Sequence, residues 1–198
     1  MNDYKITRAK FFDSSEHKAM LESTEKLSQD DLKKGNTTWE KRWMLVHLAM
    51  YSGLRVAEIA ALTVKNVHLD IENPYLFVKS GKGKKDRDVY IDPSLQEHLK
   101  EFIDKHNLTD NLFQNAQGKA YTTTTLYLSF REARRAAKLR EGLSIHSARH
   151  TYATKLLSVT NLRYVQKQLG HSSISMTALY ADILPEKNGF LAALILTA

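Results

Sequence analysis

Residues 75 to 91 read Tyr75-Leu76-Phe77-Val78-Lys79-Ser80-Gly81-Lys82-Gly83-Lys84-Lys85-Asp86-Arg87-Asp88-Val89-Tyr90-Ile91. Two short aromatic and β-branched runs, Tyr75 to Val78 and Val89 to Ile91, flank a turn that contains Gly81 and Gly83. This is the signature of a β-hairpin, and here its tip is cationic. Asn73-Pro74 and Ser80-Gly81 bound the first strand, and Val67 to Ile71 supplies a third. The hairpin sits inside a chain whose other periodicities are helical, so the expected fold class is α+β. It is mainly α-helical, with one small antiparallel sheet.

Working outward, Ser14-Ser15-Glu16 opens a helix expected to run to about Leu27, and Asp30 to Asn36 reads as a loop. Thr37 and Glu40 have capping-box spacing. Trp39, Trp43, Val46 and Met50 recur behind them at helical intervals, and Gly53 ends the run as a C′ glycine. A short helix covers about Val56 to Leu62. After the hairpin, Asp92-Pro93 is an N-cap with proline at N1, opening a helix that buries Leu95, Leu99, Phe102 and Ile103. From Thr124 the pattern is helical again, with Leu128, Ala133 and Ala137 inward until Gly142 breaks it. Helices are predicted over His146 to Leu157, Leu162 to Leu169, Ser173 to Tyr180 and Gly189 to Ala198. No shift in composition marks a boundary, so residues 1–198 are expected to form a single domain.

Composition narrows the function. The chain of 198 residues has no cysteine, which excludes disulfides, thiolate catalysis and Cys-ligated zinc. It has no apolar run of about 18 residues, so no membrane span is expected. The N-terminus lacks a secretory signal, and a reducing cytoplasm is the expected compartment. The net charge of +7 is concentrated in two stretches, Lys79 to Arg87 at +4 and Arg131 to Lys155 at +5, leaving the remainder at −2. Surfaces of that kind suit a polyanion, most plausibly nucleic acid.

Metal-dependent cleavage of nucleic acid needs clustered carboxylates. Asp30-Asp31 and Asp86/Asp88 lie in loops or a lysine-rich turn. His146 and His150 are spaced like zinc ligands on a helix, but Arg149 stands between them where a zinc protease motif needs a Glu near its start. The alternative is cationic stabilisation of a phosphoryl-transfer transition state, for which arginine is suited by its planar, permanently charged fork. His146 and Arg149 are i,i+3 and point the same way. His171 follows Gly170 at a helix start, and Tyr180 lies nine residues further on. A tyrosine becomes a competent nucleophile only when cations or a base stabilise its phenolate.

Taken together, Ser52-Gly53-Leu54-Arg55-Val56-Ala57-Glu58, Gly81-Lys82-Gly83-Lys84-Lys85, His146-Ser147-Ala148-Arg149-His150 and Leu169-Gly170-His171 followed by Tyr180 resemble the boxes of the tyrosine recombinase (phage integrase) family. Order and spacing both match, over about residues 15 to 185. The resemblance implies the recombinase catalytic-domain fold and these roles. Arg55 and Arg149 clamp the scissile phosphate, and Lys82 protonates the leaving 5′ oxygen. His146 acts in proton transfer, His171 hydrogen-bonds a phosphate oxygen, and Tyr180 attacks phosphorus to give a 3′-phosphotyrosine. Glu58 supports the site. No metal, ATP or other cofactor is implied, because the phosphotyrosine bond conserves the energy for rejoining. Lys84 and Lys85 are neighbours that compete with Lys82 for the acid role. Ala148, Ile59 and Asp182 depart from the commoner residues of the family without touching the chemistry.

The expected partner is double-stranded DNA, bound through Lys79, Lys84, Lys85, Arg87, Arg131, Arg134 and Arg135. By the same resemblance, the chain is expected to act as a homo-oligomer on DNA, a tetrameric synapse, with accessory DNA-bending proteins as further partners. Only about 14 residues precede the first helix, so the N-terminal core-binding domain common in the family is not expected here. A type IB topoisomerase-like enzyme and a non-catalytic DNA-binding regulator of the same fold are the alternatives. The Leu-Gly-His box and the Gly-Lys-Gly turn favour a recombinase over the first, and the intact polar positions favour it over the second. In the tail, about residues 186–198, Phe190, Leu191, Leu194 and Ile195 make one apolar stripe. It is expected to pack on its own domain or to dock on a neighbouring protomer.

Overall fold

The computed structural model describes residues 8–79, 85–171, 173 and 177–180. The expectations for Lys82, Lys84, Asp182 and the apolar tail therefore concern residues outside the described ones. Helix α1 spans Ser14–Lys33, α2 Thr38–Ser52 and α3 Val56–Ala60. Strands β1 (Val67–His68), β2 (Tyr75–Val78) and β3 (Arg87–Tyr90) follow, then α4 (Pro93–Lys105), α5 (Thr123–Ala136), α6 (Ile145–Val159) and α7 (Leu162–Leu169). The sheet is antiparallel in the order β1-β2-β3, with Tyr75 opposite Tyr90 and Val78 opposite Arg87.

Helix α2 is the central element. Met44, Leu45, Val46, Leu48 and Ala49 are all buried, so the helix is covered all round rather than along one stripe. Helices α1, α4, α5 and α6 pack against it. Gly53 ends it in the left-handed conformation at φ 62°, as its position predicts, and a Cβ there would overlap the Tyr152 ring. Asp92 caps α4 by accepting from the Leu95 N–H at 3.0 Å.

Three local expectations are corrected. Helix α1 continues through Asp30 and Asp31 to Lys33 instead of stopping near Leu27, and Gly35 makes the turn at φ 75°. The extra turn matters, because Asp31 then accepts from the Trp39 N–H at 3.0 Å and caps α2 from a different helix. The Thr37 side chain makes no capping bond. Glu40, its expected capping partner, is buried and holds Lys105 at 2.7 Å and His106 at 2.8 Å instead. On α5, Leu128 is exposed, and the inward face is Leu126, Phe130 and Ala133.

Candidate active site

The site forms where α7 ends. The last carbonyls of a helix lack intrahelical partners and carry the negative end of its dipole. Here three guanidinium groups converge on them. Arg149, from α6, donates to the Leu169 carbonyl at 2.8 Å and to the Gly53 carbonyl at 2.5 Å. Arg55, at the N-cap of α3, donates to the carbonyls of Leu169 at 3.3 Å and Gly170 at 3.4 Å. Arg87, from β3, donates through Nε to the Gln168 carbonyl at 2.9 Å. Gln168 also closes a two-point bond with the Tyr90 backbone, at 3.1 and 3.2 Å, which fastens α7 to the edge of the sheet.

Glu58 is the carboxylate that holds this cluster together. It accepts from the Arg55 backbone N–H at 2.8 Å and from the Arg55 side chain at 2.9 Å. Arg87 grips it with both terminal nitrogens, at 3.0 and 2.9 Å. Burial works to raise the Glu58 pKa, but the hydrogen bonds and charges of Arg87 and Arg55 outweigh it, and the net shift is downward. One carboxylate against three guanidinium groups leaves the site positive. Arg149 is almost fully buried, and burial together with repulsion from Arg55 lowers its pKa to about 10, so it stays charged at neutral pH.

Beside the cations lies a phenol with two imidazole neighbours. Tyr180 is buried, and its ring packs with Phe11, Ala153, Val165 and Leu169. Its hydroxyl lies 3.0 Å from Nδ1 of His150. The His171 ring lies nearly parallel to that of Tyr180, with centroids 6.1 Å apart and planes 16° from parallel. Nδ1 of His171 is 2.9 Å from the Thr177 hydroxyl, and the Tyr180 N–H closes a turn onto the Thr177 carbonyl at 3.1 Å. Burial first, and then the neighbouring cations, lower the pKa of His171 to about 4. His150 falls to about 4 through burial, His146 and Arg149. His146, on the first turn of α6, is lowered by partial desolvation and then by Arg149 and Arg55. The imidazoles are thus neutral partners of a cationic pocket.

Arg55, Glu58, Arg149, His171 and Tyr180 therefore lie together, and His146 lies within the field of Arg149 and Arg55. Lys82 and Lys84 lie outside the described residues. Among the expected DNA-binding cations, Lys79, Lys85, Arg131 and Arg135 are exposed. Two of that set are corrected. Arg87 is buried on Glu58, and Arg134 is buried with its guanidinium on the carbonyls of Leu139 and Arg140. Neither presents a surface charge. The sequence reading missed His150 as the partner of Tyr180: it quotes the residue in the His146–His150 box and weighs it as a zinc ligand, with no role at the tyrosine. Among the described residues, no group of three or more His, Asp or Glu is placed to hold a metal ion.

Residues 10–187 match the phage integrase family. A tyrosine recombinase of Thermosipho africanus (strain TCF52B) is 31% identical over 143 residues, covering 72% of this chain and 50% of that protein. The tyrosine recombinase XerD of Staphylococcus aureus (strain N315) is 34% identical over 165 residues, covering 79% of this chain and 54% of the relative. The chain thus spans about half the length of the curated relatives it matches. Its fold superposes on the crystal structure of the XerH site-specific recombinase in a post-cleavage complex with palindromic difH substrate. The TM-score is 0.74 at 26% identity, covering 95% of this chain and 53% of that one.

Proposed function

Because the chain belongs to the phage integrase family, we propose that it carries the catalytic centre of a site-specific DNA recombinase and cleaves and rejoins strands through a 3′-phosphotyrosine on Tyr180. The observation that carries this reading is the convergence of Arg55 and Arg149 on the Leu169 carbonyl, beside a Tyr180 in contact with His150 and close to His171. A phosphodiester docked there would meet two guanidinium forks, which stabilise the charge on its non-bridging oxygens as the transition state forms.

In that reaction Tyr180 Oη bonds to phosphorus and the bond to the 5′ oxygen breaks. Lys82 is the proposed donor of a proton to that oxygen, and His171 a donor to a non-bridging oxygen. His146 takes part in proton transfer at the rim. No metal or ATP enters, because the phosphotyrosine ester keeps the energy of the broken linkage for rejoining. The proposed substrate is duplex DNA bound by a homo-oligomer of this chain, with a tetrameric synapse at the point of exchange. XerH, seen bound to its difH substrate before and after cleavage, supports DNA as the ligand.

Covalent trapping tests the reading. The wild-type chain, incubated with fragmented DNA and denatured, should retain protease-sensitive protein–DNA adducts. Tyr180→Phe should bind DNA and form none, and EDTA should leave wild-type trapping unaltered. Adducts formed by Tyr180→Phe would assign the nucleophile elsewhere. Lys82→Ala should slow cleavage of an ordinary linkage far more than of one with a 5′-thiol leaving group, which needs no acid.

A further inference from the structure

Two consecutive phenylalanines ahead of α1 go to different places. Phe12 packs in the main core, edge-on to Phe130 with ring centroids 6.3 Å apart. Phe11 joins the smaller cluster that encloses Tyr180, with Ala153 from α6 and Val165 and Leu169 from α7. Its ring centroid lies 5.7 Å from that of His150, whose Nδ1 is 3.0 Å from the Tyr180 hydroxyl. The segment before α1 therefore builds one wall of the pocket that holds the tyrosine.

That segment has a single 3₁₀ turn of its own, Arg8–Lys10, so other parts of the chain must fix it. Arg140, in the connection between α5 and α6, does so. It donates through Nη1 to the Ala9 carbonyl at 2.6 Å and through Nη2 to the Phe11 carbonyl at 2.7 Å. Its Nε and Nη2 also meet the Glu16 carboxylate, at 2.6 and 3.3 Å. Glu16 is anchored on α1, where it accepts the Asp13 N–H at 3.0 Å. The backbone of Arg140 is held in turn, because the buried Arg134 donates to its carbonyl at 2.7 Å. Thr151 on α6 completes the attachment by accepting the Phe12 N–H at 2.9 Å. A planar guanidinium can address two carbonyls and a carboxylate at once, and bonds from a charged donor are the stronger class.

We propose that Arg140 is a positioning residue for Tyr180 that acts through Phe11, a role that rests on the activity proposed above. By holding the backbone of Ala9 and Phe11, Arg140 keeps the Phe11 ring against His150 and the tyrosine cluster. This wall confines the Tyr180 side chain to the orientation from which its hydroxyl meets a phosphate on Arg55 and Arg149. Without the wall the side chain gains freedom, and misplacing a reacting group by about 1 Å can cost about 100-fold in rate. The role needs no contact between Arg140 and DNA, so its loss is read in the rate of the bound complex and not in affinity.

Nitration and adduct formation on the full chain test this. Tetranitromethane modification, mapped by mass spectrometry, reports the cover over Tyr180, with the exposed Tyr90 as internal reference. Phe11→Ala and Arg140→Gln should each raise nitration of Tyr180 relative to Tyr90 several-fold. On a saturating duplex that carries a sequence recovered by trapping the wild type, both should form adduct about 10- to 100-fold more slowly, with duplex affinity unchanged. Phe11→Leu, which keeps an apolar wall, should recover most of the rate lost in Phe11→Ala. Phe12→Leu is the control for stability, expected to lower the melting temperature and leave nitration and the saturated rate as in the wild type. An Arg140→Gln chain with the wild-type saturated rate and weaker duplex binding would make Arg140 a DNA contact and overturn the proposal. Equal slowing in Phe12→Leu and Phe11→Ala would also overturn it, because general loosening of the fold would then account for both. If the wild type forms no adduct, the proposed activity fails and the positioning role fails with it. Unchanged Tyr180 nitration in both Phe11→Ala and Arg140→Gln would overturn the positioning role whatever the activity.

Discussion

Arg87 on β3 and Glu58 on α3 meet in a two-point ion pair, Nη1 to Oε1 at 3.0 Å and Nη2 to Oε2 at 2.9 Å. Both side chains are largely hidden, at 7% and 14% exposure, so solvent screens the pair little. Removing one partner leaves a buried charge, whereas removing both removes the desolvation cost too. Arg87→Met should therefore destabilise the fold by about 3 kcal/mol, moderated because Arg55 still holds Glu58. Adding Glu58→Gln should cost less than the sum of the single changes. Urea denaturation of the two single variants and the double variant measures the coupling, and strict additivity would show that the pair does not act as a unit.

Gly170 sits in the left-handed region at φ 64°, and a Cβ there would lie 2.8 to 2.9 Å from the Arg87 guanidinium. Gly170→Ala should cost about 1–2 kcal/mol in backbone strain, with a further cost from displacing Arg87. The displacement should also loosen α7 from the sheet and reduce covalent trapping. A Gly35→Ala control has the same backbone strain at φ 75° with open space around the added carbon, so comparing the two thermal melts isolates the Arg87 contribution.

Local signals carried much of this architecture. Gly53, Asp92-Pro93 and the two runs of the hairpin act through their own backbone and near neighbours, and a reader of the sequence sees them directly. Long-range pairings carry no such trace. Arg87 lies 29 residues from Glu58 and 81 from Gln168, and in the sequence it is one more cation in a basic hairpin. Asp31 replaces the Thr37 cap because α1 runs on to Lys33 and brings a stronger acceptor to Trp39, and Glu40 is drawn to Lys105 and His106. At the site, the boxes name Arg149 and Tyr180, but the contact between His150 and Tyr180 spans 30 residues and leaves no local trace in the sequence.

Acid should destabilise the fold through His47. It is buried on α2, with Nδ1 3.0 Å from Nδ1 of His98, and burial followed by repulsion from His98 lowers its pKa from 6.5 to about 4. The unfolded chain binds the proton more tightly. The contribution of His47 is therefore complete above pH 6.5 and is lost as pH falls from there toward about 4, by about 3 kcal/mol in all. The urea midpoint should fall between pH 7 and pH 5. His47→Gln, which keeps a polar partner for His98 and cannot titrate, should flatten part of that dependence. An equal fall in the variant would assign the acid sensitivity to other groups.

The basic surface should divide by burial. Each phosphate neutralised by a surface cation releases counterions, so affinity falls with salt at a slope set by the number of contacts. Lys79, Lys85, Arg131 and Arg135 are exposed and can make such contacts, although Arg131 and Arg135 share Glu132, at 3.7 and 3.0 Å. Arg134 is turned inward onto the Leu139 and Arg140 carbonyls. Replacing Lys79, Lys85 or Arg131 with Gln should lower the salt slope of duplex binding by about 1 each. Arg134→Gln should leave the slope unchanged and lower the melting temperature, because it frees the segment after α5 from the Arg134 guanidinium rather than releasing a phosphate. Fluorescence anisotropy of a labelled duplex across a salt series, paired with thermal melts, reads both quantities on each variant. A slope that drops for Arg134→Gln as it does for Lys85→Gln would place Arg134 on the DNA face and overturn the division.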